Sequence, residues 1–258
     1  MSGTLQEFGP VPCAPGFRFE RHSALESTNT RAMDLARAGE VGGLWVLADV
    51  QTGGRGRRGR AWVSPKGNLF ASVLLIDPGP RDRLGELPMV AAVALAEAVD
   101  RAVGSIGLAR LKWPNDLLVD GGKLSGILLE AQPLSGGRTG VVCGFGVNVA
   151  AHPQIEAYAT TDLTALGFRV SAEVMFERLA EEFALWLGHW QRDGFDPVRE
   201  AWMKRALRLG EKIAVRMGEE LIEGRFAEID GCGQMVLVLD NGSKKTISAG
   251  DVFFGTTG

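Results

Sequence analysis

Tyrosine and cysteine are scarce in this chain of 258 residues, at one and three respectively. Cys13, Cys143 and Cys232 are odd in number and widely scattered. They form neither a disulfide framework nor a zinc spacing, so the expected compartment is a reducing cytoplasm. Long apolar runs are missing as well. The longest, residues 89–96, stops at Glu97, far short of the ~18–20 residues that a membrane helix needs. Residues 1–15 have no basic start and no apolar run, which excludes a secretory signal. Positive charge is not in excess either. The formal net charge is −3 and the pI about 5.7, which argues against a bulk nucleic-acid binder. Internal repeats and low-complexity tracts are absent.

What remains is a chain with 45% hydrophobic residues. That suffices for a sizeable core, in one large domain or one domain plus a small one. Glycine is the outlier: 35 of 258 residues, about twice the usual ~7%.

Periodicity and turn chemistry place the elements. The first 16 residues, rich in Pro and Gly, are expected to lie along the surface or fray. A short strand is predicted over 17–22. Ser27 or Thr28 can cap a helix through Ala38, which Gly39 stops. Residues 44–50 are nearly all apolar, so that strand should be covered on both faces. A Gly/Arg loop over 51–68 leads to a strand over 69–76 and a buried helix over 87–103. Short strands over 108–113 and 116–119 flank Pro114, and Asp120-Gly121-Gly122 turns the second into a strand over 123–131. A further strand spans 140–149, and 150–170 is loop-like. Residues 172–193 carry Met175, Phe176, Leu179, Phe183, Trp186, Leu187 and Trp190 on one helical face, and 196–207 form a second helix. Beyond Leu209 the texture changes to short β runs at 213–217, 221–229, 235–239 and 245–247. These predict a small barrel of roughly 45–50 residues. The boundary falls near Arg208, dividing 1–208 from 209–258.

Gly54-Arg55-Gly56-Arg57-Arg58-Gly59 matches the glycine fingerprint of dinucleotide folds. That site needs a helix to begin at the loop, with its N-terminus facing the pyrophosphate. Arg60-Ala61-Trp62-Val63-Ser64-Pro65 follows instead, and no helix starts there. The Gly-Lys-Ser/Thr ending of a nucleotide hydrolase loop is absent, as are the downstream motifs of a kinase. What is left is anion chemistry: arginines spaced by glycines can wrap a carboxylate or phosphate. A solvated basic loop, or one that binds RNA, fits the loop alone equally well. Lys112-Trp113-Pro114-Asn115-Asp116 and Gly122-Lys123-Leu124-Ser125-Gly126 each pass individually for turn or hairpin chemistry. In Gly144-Phe145-Gly146-Val147-Asn148-Val149 a polar Asn interrupts an apolar strand and needs partners. Trp62 reads as a core or loop-anchoring aromatic.

Taken in order, these pieces are more telling. Glu26-Ser27-Thr28-Asn29, the stretch from Gln51 through Arg60 with Trp62, Ser64 and Gly67-Asn68-Leu69, then Lys112 to Asp116, Lys123 to Leu128 and Gly144 to Val149 together resemble a biotin–protein ligase. The motifs run from about Phe17 to Val149, and the layout extends through Phe254. Gly53, where alanine is more usual, and the poorly patterned 150–170 depart from the pattern. The resemblance implies an α+β fold, with a mixed sheet flanked by helices, like the class II synthetases and biotin–lipoate ligases. A small C-terminal SH3-like β-barrel would follow. It also implies two half-reactions: biotin and ATP give biotinyl-adenylate and pyrophosphate, and a lysine of a biotin carboxyl carrier domain then takes the biotinyl group, releasing AMP.

By motif position, biotin would be held by Ser27, Thr28, Asn29, Gln51, Arg55, Gly56, Arg57, Lys123 and Gly126. ATP and the adenylate would meet Arg55, Arg57, Arg58, Trp62, Asn115, Lys123 and Asn148. Lys123, Arg57 and Asp116 would be catalytic. Mg²⁺ would sit at Asp116, which could instead serve the incoming lysine. The adenylate hydrolyses readily, so a mobile loop should close over it, and the Gly/Arg loop has that composition. Only 26 residues precede Ser27, against the roughly 60 of a winged helix-turn-helix. The expectation is therefore a monofunctional ligase, monomer or homodimer, that binds neither DNA nor membrane. Two alternatives stand beside it: a lipoate or octanoate ligase or transferase of the related fold, and an RNA- or DNA-binding module built on the Arg loop.

Overall fold

A computed structural model describes residues 4–12 and 14–253. Cys13 and Phe254, which figure in the sequence expectations, lie outside the described residues. In chain order the elements are β1 (Leu5–Pro10), β2 (Arg18–His22), α1 (Thr28–Arg37), β3 (Leu44–Ala48), β4 (Leu69–Ile76) and α2 (Leu87–Val103). Then come β5 (Arg110–Lys112), β6 (Asp116–Val119), β7 (Gly122–Pro133), β8 (Thr139–Val147), α3 (Ala172–Asp193) and α4 (Asp196–Arg205). Five further strands follow: β9 (Lys212–Met217), β10 (Glu220–Ile229), β11 (Met235–Val238), β12 (Lys244–Ile247) and β13 (Asp251–Phe253).

The first eight strands form one sheet in the order β1-β2-β3-β4-β8-β7-β6-β5. β2 and β3 run parallel and the other neighbours are antiparallel, so the sheet is mixed. β3 shows why its sequence is apolar throughout. Leu44, Val46 and Ala48 pack with Met33 and Ala36 of α1 on one face. Trp45 and Leu47 join the core under α2 and α3 on the other. Trp45 is the hub of that core, with ring centroids 5.7 Å from Phe145, 5.6 Å from Phe176 and 5.5 Å from Phe183. Such pairs add about 0.5–1.5 kcal/mol each beyond burial. α2 is buried along nearly its whole length. α3 buries Trp190 fully and Trp186 partly.

Residues 5–10 lie along the surface, the first of the two expected alternatives, and do not fray. They form an edge strand paired to β2, a pairing that no local periodicity in the sequence announces. Ser27, not Thr28, is the cap of α1, its hydroxyl accepting from the Thr30 amide at 3.4 Å. The β6–β7 turn fits its residues: Asp120 and Gly121 both adopt positive φ, at 48° and 79°, the signature of a tight two-residue hairpin.

The last five strands form an antiparallel sheet in the order β12-β11-β10-β9-β13. The long β10 bends at a register shift between Phe226 and Glu228. These strands curl around Ile213, Val215, Phe226, Leu237 and Ile247, and no hydrogen-bonded closure of β12 onto β13 occurs among the described residues. Their interior is continuous with the first core, since Phe226 packs on Trp202 of α4 with centroids 6.3 Å apart. No helix among the described residues is long and apolar enough to cross a membrane.

Candidate active site

A cleft of about 770 Å³ opens where the N-terminus of α1, the loop after β3, the β5–β6 turn, β7, β8 and the start of β13 converge. Of the residues expected to bind or react, Ser27, Thr28, Asn29, Gln51, Arg55, Gly56, Arg57, Trp62, Asn115, Asp116, Lys123 and Gly126 line it. Arg58 and Asn148 do not. Ile155, Tyr158 and Ala159 from the loop after β8, Lys112, and Gly250 to Phe253 line it as well.

One end of the cleft is neutral and hydrogen-bonding. α1 begins there, so its first side chains converge on the cleft. The Thr28 amide and hydroxyl both donate to Gln51 Oε1, at 2.9 and 3.1 Å. Gln51 Nε2 donates to Ser64 Oγ at 3.2 Å. Asn29 Nδ2 donates to Glu130 Oε2 at 2.8 Å and Leu128 O at 3.2 Å. The fully buried Ser72 hydroxyl sits 2.7 Å from Thr28 Oγ1 and 2.6 Å from Asn29 Oδ1. Ser72 lies in an apolar strand, and only this buried network gives it a purpose.

The middle is cationic. Arg55, Arg57, Arg60, Lys112 and Lys123 line the cleft against two carboxylates, Asp116 and Asp251. In a chain of net charge −3, that local excess suits a polyanion. Lys123 Nζ pairs with Asp116 Oδ1 at 2.7 Å. The same ammonium lies 5.6 Å from the Trp62 ring and 5.5 Å from the Tyr158 ring, within cation–π range. A bulge makes this possible. Leu117 pairs with Ser125, but its neighbour Leu118 pairs with Lys123, leaving Leu124 as the extra residue. Leu124 enters the core, while Lys123 and Gly126, which plain alternation would set on opposite faces, both line the cleft.

Burial pushes the Lys112 ammonium below its ordinary range, with Lys123 adding to the effect and Asp116 opposing it. Burial likewise lowers Arg57, against the pull of Asp251 and Asp116. An arginine remains charged at such a site, so its charge there is poorly hydrated and ready for an anion.

The Trp62 indole packs against Gly126 of β7 and Gly146 of β8. A Cβ at Gly146 would come within 2.4 Å of its indole nitrogen, so β8 needs bare backbone at that position. Asn115 spends its amide on structure: Nδ2 donates to Ile127 O at 2.6 Å, and Oδ1 accepts from Arg57 Nη1 at 3.2 Å. Asn148 is buried beneath the cleft. It donates to Thr161 O at 3.0 Å and Lys123 O at 3.4 Å, tying the loop after β8 to the Lys123 backbone. Its Oδ1 is buried without a partner.

The Gly/Arg loop is pinned at several points. Arg55 donates to Thr30 Oγ1 at 3.0 Å and Glu130 at 3.4 Å. Arg57 Nη2 reaches Gly250 O at 3.3 Å. Arg58 and Arg60 pair with Asp251 Oδ2 at 2.8 and 2.6 Å. No helix of α type begins after it. It makes only the short turn Arg57–Gly59, so a dinucleotide site is excluded as the motif context suggests. Sequence reasoning missed Tyr158, Gly250 and Asp251. The sole tyrosine in an unpatterned loop was the one available signal, and Asp251 gave none.

Residues 23–148 match the model of the biotin/lipoate A/B protein ligase family, and residues 209–255 that of the biotin protein ligase C-terminal domain. The chain is 41% identical over 236 residues to a biotin–[acetyl-CoA-carboxylase] ligase of Paracoccus denitrificans, covering 89% of this chain and 98% of that one. It is 32% identical over 234 residues to a bifunctional ligase/repressor of Bacillus subtilis, covering 88% and 71%. Among solved structures, biotin protein ligase from Aquifex aeolicus in complex with biotin and ATP matches with a TM-score of 0.78 at 27% identity, covering 91% of this chain and 97% of that one.

Proposed function

The chain belongs to the biotin/lipoate protein ligase family and, within it, to the biotin protein ligases; from that premise we propose that it is a biotin–[acetyl-CoA-carboxylase] ligase. It joins biotin to a lysine of a biotin carboxyl carrier domain through biotinyl-5′-AMP, consuming ATP. The observation that carries this reading is the place of Lys123. Its ammonium stands beside Asp116 and Trp62, in a cleft that also holds the neutral pocket at α1 and the cations around Arg57.

The neutral pocket of Ser27, Thr28, Asn29 and Gln51 suits the polar ring of biotin and leaves its carboxylate pointing to Lys123. Arg55, Gly56 and Gly126 border that path. A carboxylate oxygen attacks the α-phosphorus of ATP. The C–O–P bond forms as the bond from the α-phosphorus to its bridging oxygen breaks, and pyrophosphate leaves with that oxygen. Lys123 and Arg57 offset the charge of two anions brought together. Trp62 offers a face to the adenine, whereas Arg58 stands outside the cleft on Asp251. Asn115 aims Arg57, and Asn148 fixes the backbone of Lys123.

Asp116 is the cleft carboxylate not paired with arginine. No group of three His, Cys, Asp or Glu side chains able to hold a metal occurs among the described residues. That donor set fits Mg²⁺ held mainly by phosphate and water, with Asp116 as its protein ligand. When bound, the ion supplies further positive charge against the triphosphate. In the second half-reaction the neutral amine of the carrier lysine attacks the carbonyl carbon of the mixed anhydride. The amide forms, the bond to the phosphate oxygen breaks, AMP leaves, and Asp116 takes the surplus proton.

We assign the reacting groups to residues 1–208 and closure of the nucleotide side to residues 209–258. Intact-mass spectrometry of an apo carrier domain, incubated with the protein, ATP and either biotin or lipoate, tests the reading. A single biotinyl addition with biotin alone is expected. Addition of lipoate alone would move the chain to the lipoate side of the family, and no addition with either would contradict the proposal.

A further inference from the structure

Asp251 is the first residue of β13, an edge strand of the C-terminal sheet, and it is far in sequence from every motif. Yet its Oδ2 accepts from both Arg58, at 2.8 Å, and Arg60, at 2.6 Å. The preceding carbonyl, Gly250 O, accepts from Arg57 at 3.3 Å. Three arginines of one short loop are thus gathered by two adjacent residues from the other sheet. Asp251 is the better buried partner, its side chain 19% exposed against 44% for Arg58 and 64% for Arg60. The carboxylate is therefore the fixed post and the arginines are the parts that swing. Arg58 adopts a left-handed backbone, φ 56° and ψ 28°, which a non-glycine residue holds only when its surroundings support it. The ion pair to Asp251 is that support. The Gly56 amide donates to Arg60 O at 2.7 Å, so residues 56–60 fold back on themselves as one unit, and fixing two of the side chains fixes the rest.

We propose that Asp251 is a positioning residue for adenylation: it clasps the arginine loop to the C-terminal sheet, setting the Arg57 guanidinium beside Asn115 and keeping the adenylate in the cleft. The proposal rests on the ligase reading above. It gives the C-terminal sheet a role in the first half-reaction, before any carrier protein arrives. Charge, not bulk, does the holding, so the clasp must loosen as salt rises. Asp251→Asn keeps the shape and removes the charge. Asp251→Glu keeps the charge on a longer stem. Asp240→Asn, at an exposed carboxylate paired with Lys212 in the same sheet, is the control for general effects on that sheet.

Two measurements on the full chain separate the clasp from the chemistry. Limited trypsin cleavage after Arg57, Arg58 and Arg60, followed by mass spectrometry without substrates, reads loop opening. Release of radiolabelled biotinyl-adenylate, followed by rapid filtration, reads retention. In Asp251→Asn, cleavage and release should both rise by roughly three- to tenfold, the scale of two partly exposed ion pairs. The KM for ATP should rise more than kcat falls, and Asp251→Glu should recover most of the loss. Added salt should speed release in the unmodified protein and barely in Asp251→Asn. Unchanged cleavage, or faster cleavage with unchanged release, would overturn the proposal. Absence of any adenylate from the unmodified protein would instead bring down the ligase reading, and the trypsin result would show separately whether the clasp exists.

Discussion

Lys123 owes its position to one extra residue. Without the bulge at Leu124, the lysine and Gly126 would face opposite sides of the sheet, and the cleft would lose either its cation or its open floor. Because Lys123 is only partly buried and its partner Asp116 lies in the cleft, the core does not depend on it. Lys123→Ala should leave the melting temperature within a few degrees of the unmodified protein. It should slow adenylate formation by about 2–4 kcal/mol in barrier, the scale for a lost charge-assisted contact at a desolvated phosphate. Single-turnover formation of the adenylate, read beside a melting curve, checks both halves. Normal adenylation would remove Lys123 from the mechanism. Trp62 differs, because its ring covers the bare backbone at Gly146. Trp62→Ala should weaken ATP binding by about 1–3 kcal/mol, the worth of a base–aromatic stack, and biotin binding less. Calorimetry with each ligand reads this. Unchanged ATP affinity with a sharply lowered melting temperature would show that the ring serves packing alone.

At the scale of elements, α1 is the piece that must not shift, since its first turn carries Ser27, Thr28 and Asn29. It is tied to β2 by the buried Glu20, which accepts from Arg31 Nε at 2.8 Å and lies 3.0 Å from His22 Nε2. Burial alone would raise the Glu20 carboxyl, but the hydrogen bonds and charges of Arg31 and His22 outweigh it and hold the group below its ordinary 4.5. A lowered carboxyl stabilises the folded state above the unfolded value, and that contribution is lost as pH falls through the folded value. Glu20→Gln should therefore be less stable than the unmodified protein near neutral pH, by about 1–3 kcal/mol, with the gap closing below pH 4.5. Urea unfolding over a pH series measures it, and a gap constant with pH would contradict it. The elements themselves were legible where apolar spacing was strong, as in β3, α2 and α3. The β1 edge was not, because its partners lie outside its own periodicity. The motifs brought the neutral pocket and Lys123 within reach of sequence reasoning. They could not show that Asn115 and Asn148 spend their amides on neighbouring carbonyls and on Arg57, because that depends on which chain segments meet.

For the whole molecule, the two sheets share one interior. Trp202 and Phe226 are in contact, Trp113 Nε1 donates to Gly233 O at 3.4 Å, and Arg199 donates to Ile229 O at 3.3 Å. Removing residues 209–258 would uncover Trp202, which is fully buried and packs on Phe226, as well as releasing the arginine loop. The composition shift at Arg208 alone would predict an independently folding remainder, but the shared interior predicts a poorly soluble one. The soluble fraction and melting curve of the truncation decide between them: a well-folded truncation would mean that the contact is marginal. The central claim concerns the intact chain, in which a neutral pocket and a cationic cleft work on biotin and ATP together. Its most direct test is exchange of labelled pyrophosphate into ATP by the purified protein. Exchange that requires biotin, is not supported by lipoate and is strongly slowed in Lys123→Ala is the predicted result. Exchange independent of biotin, or none at all with biotin, ATP and Mg²⁺ present, would contradict it.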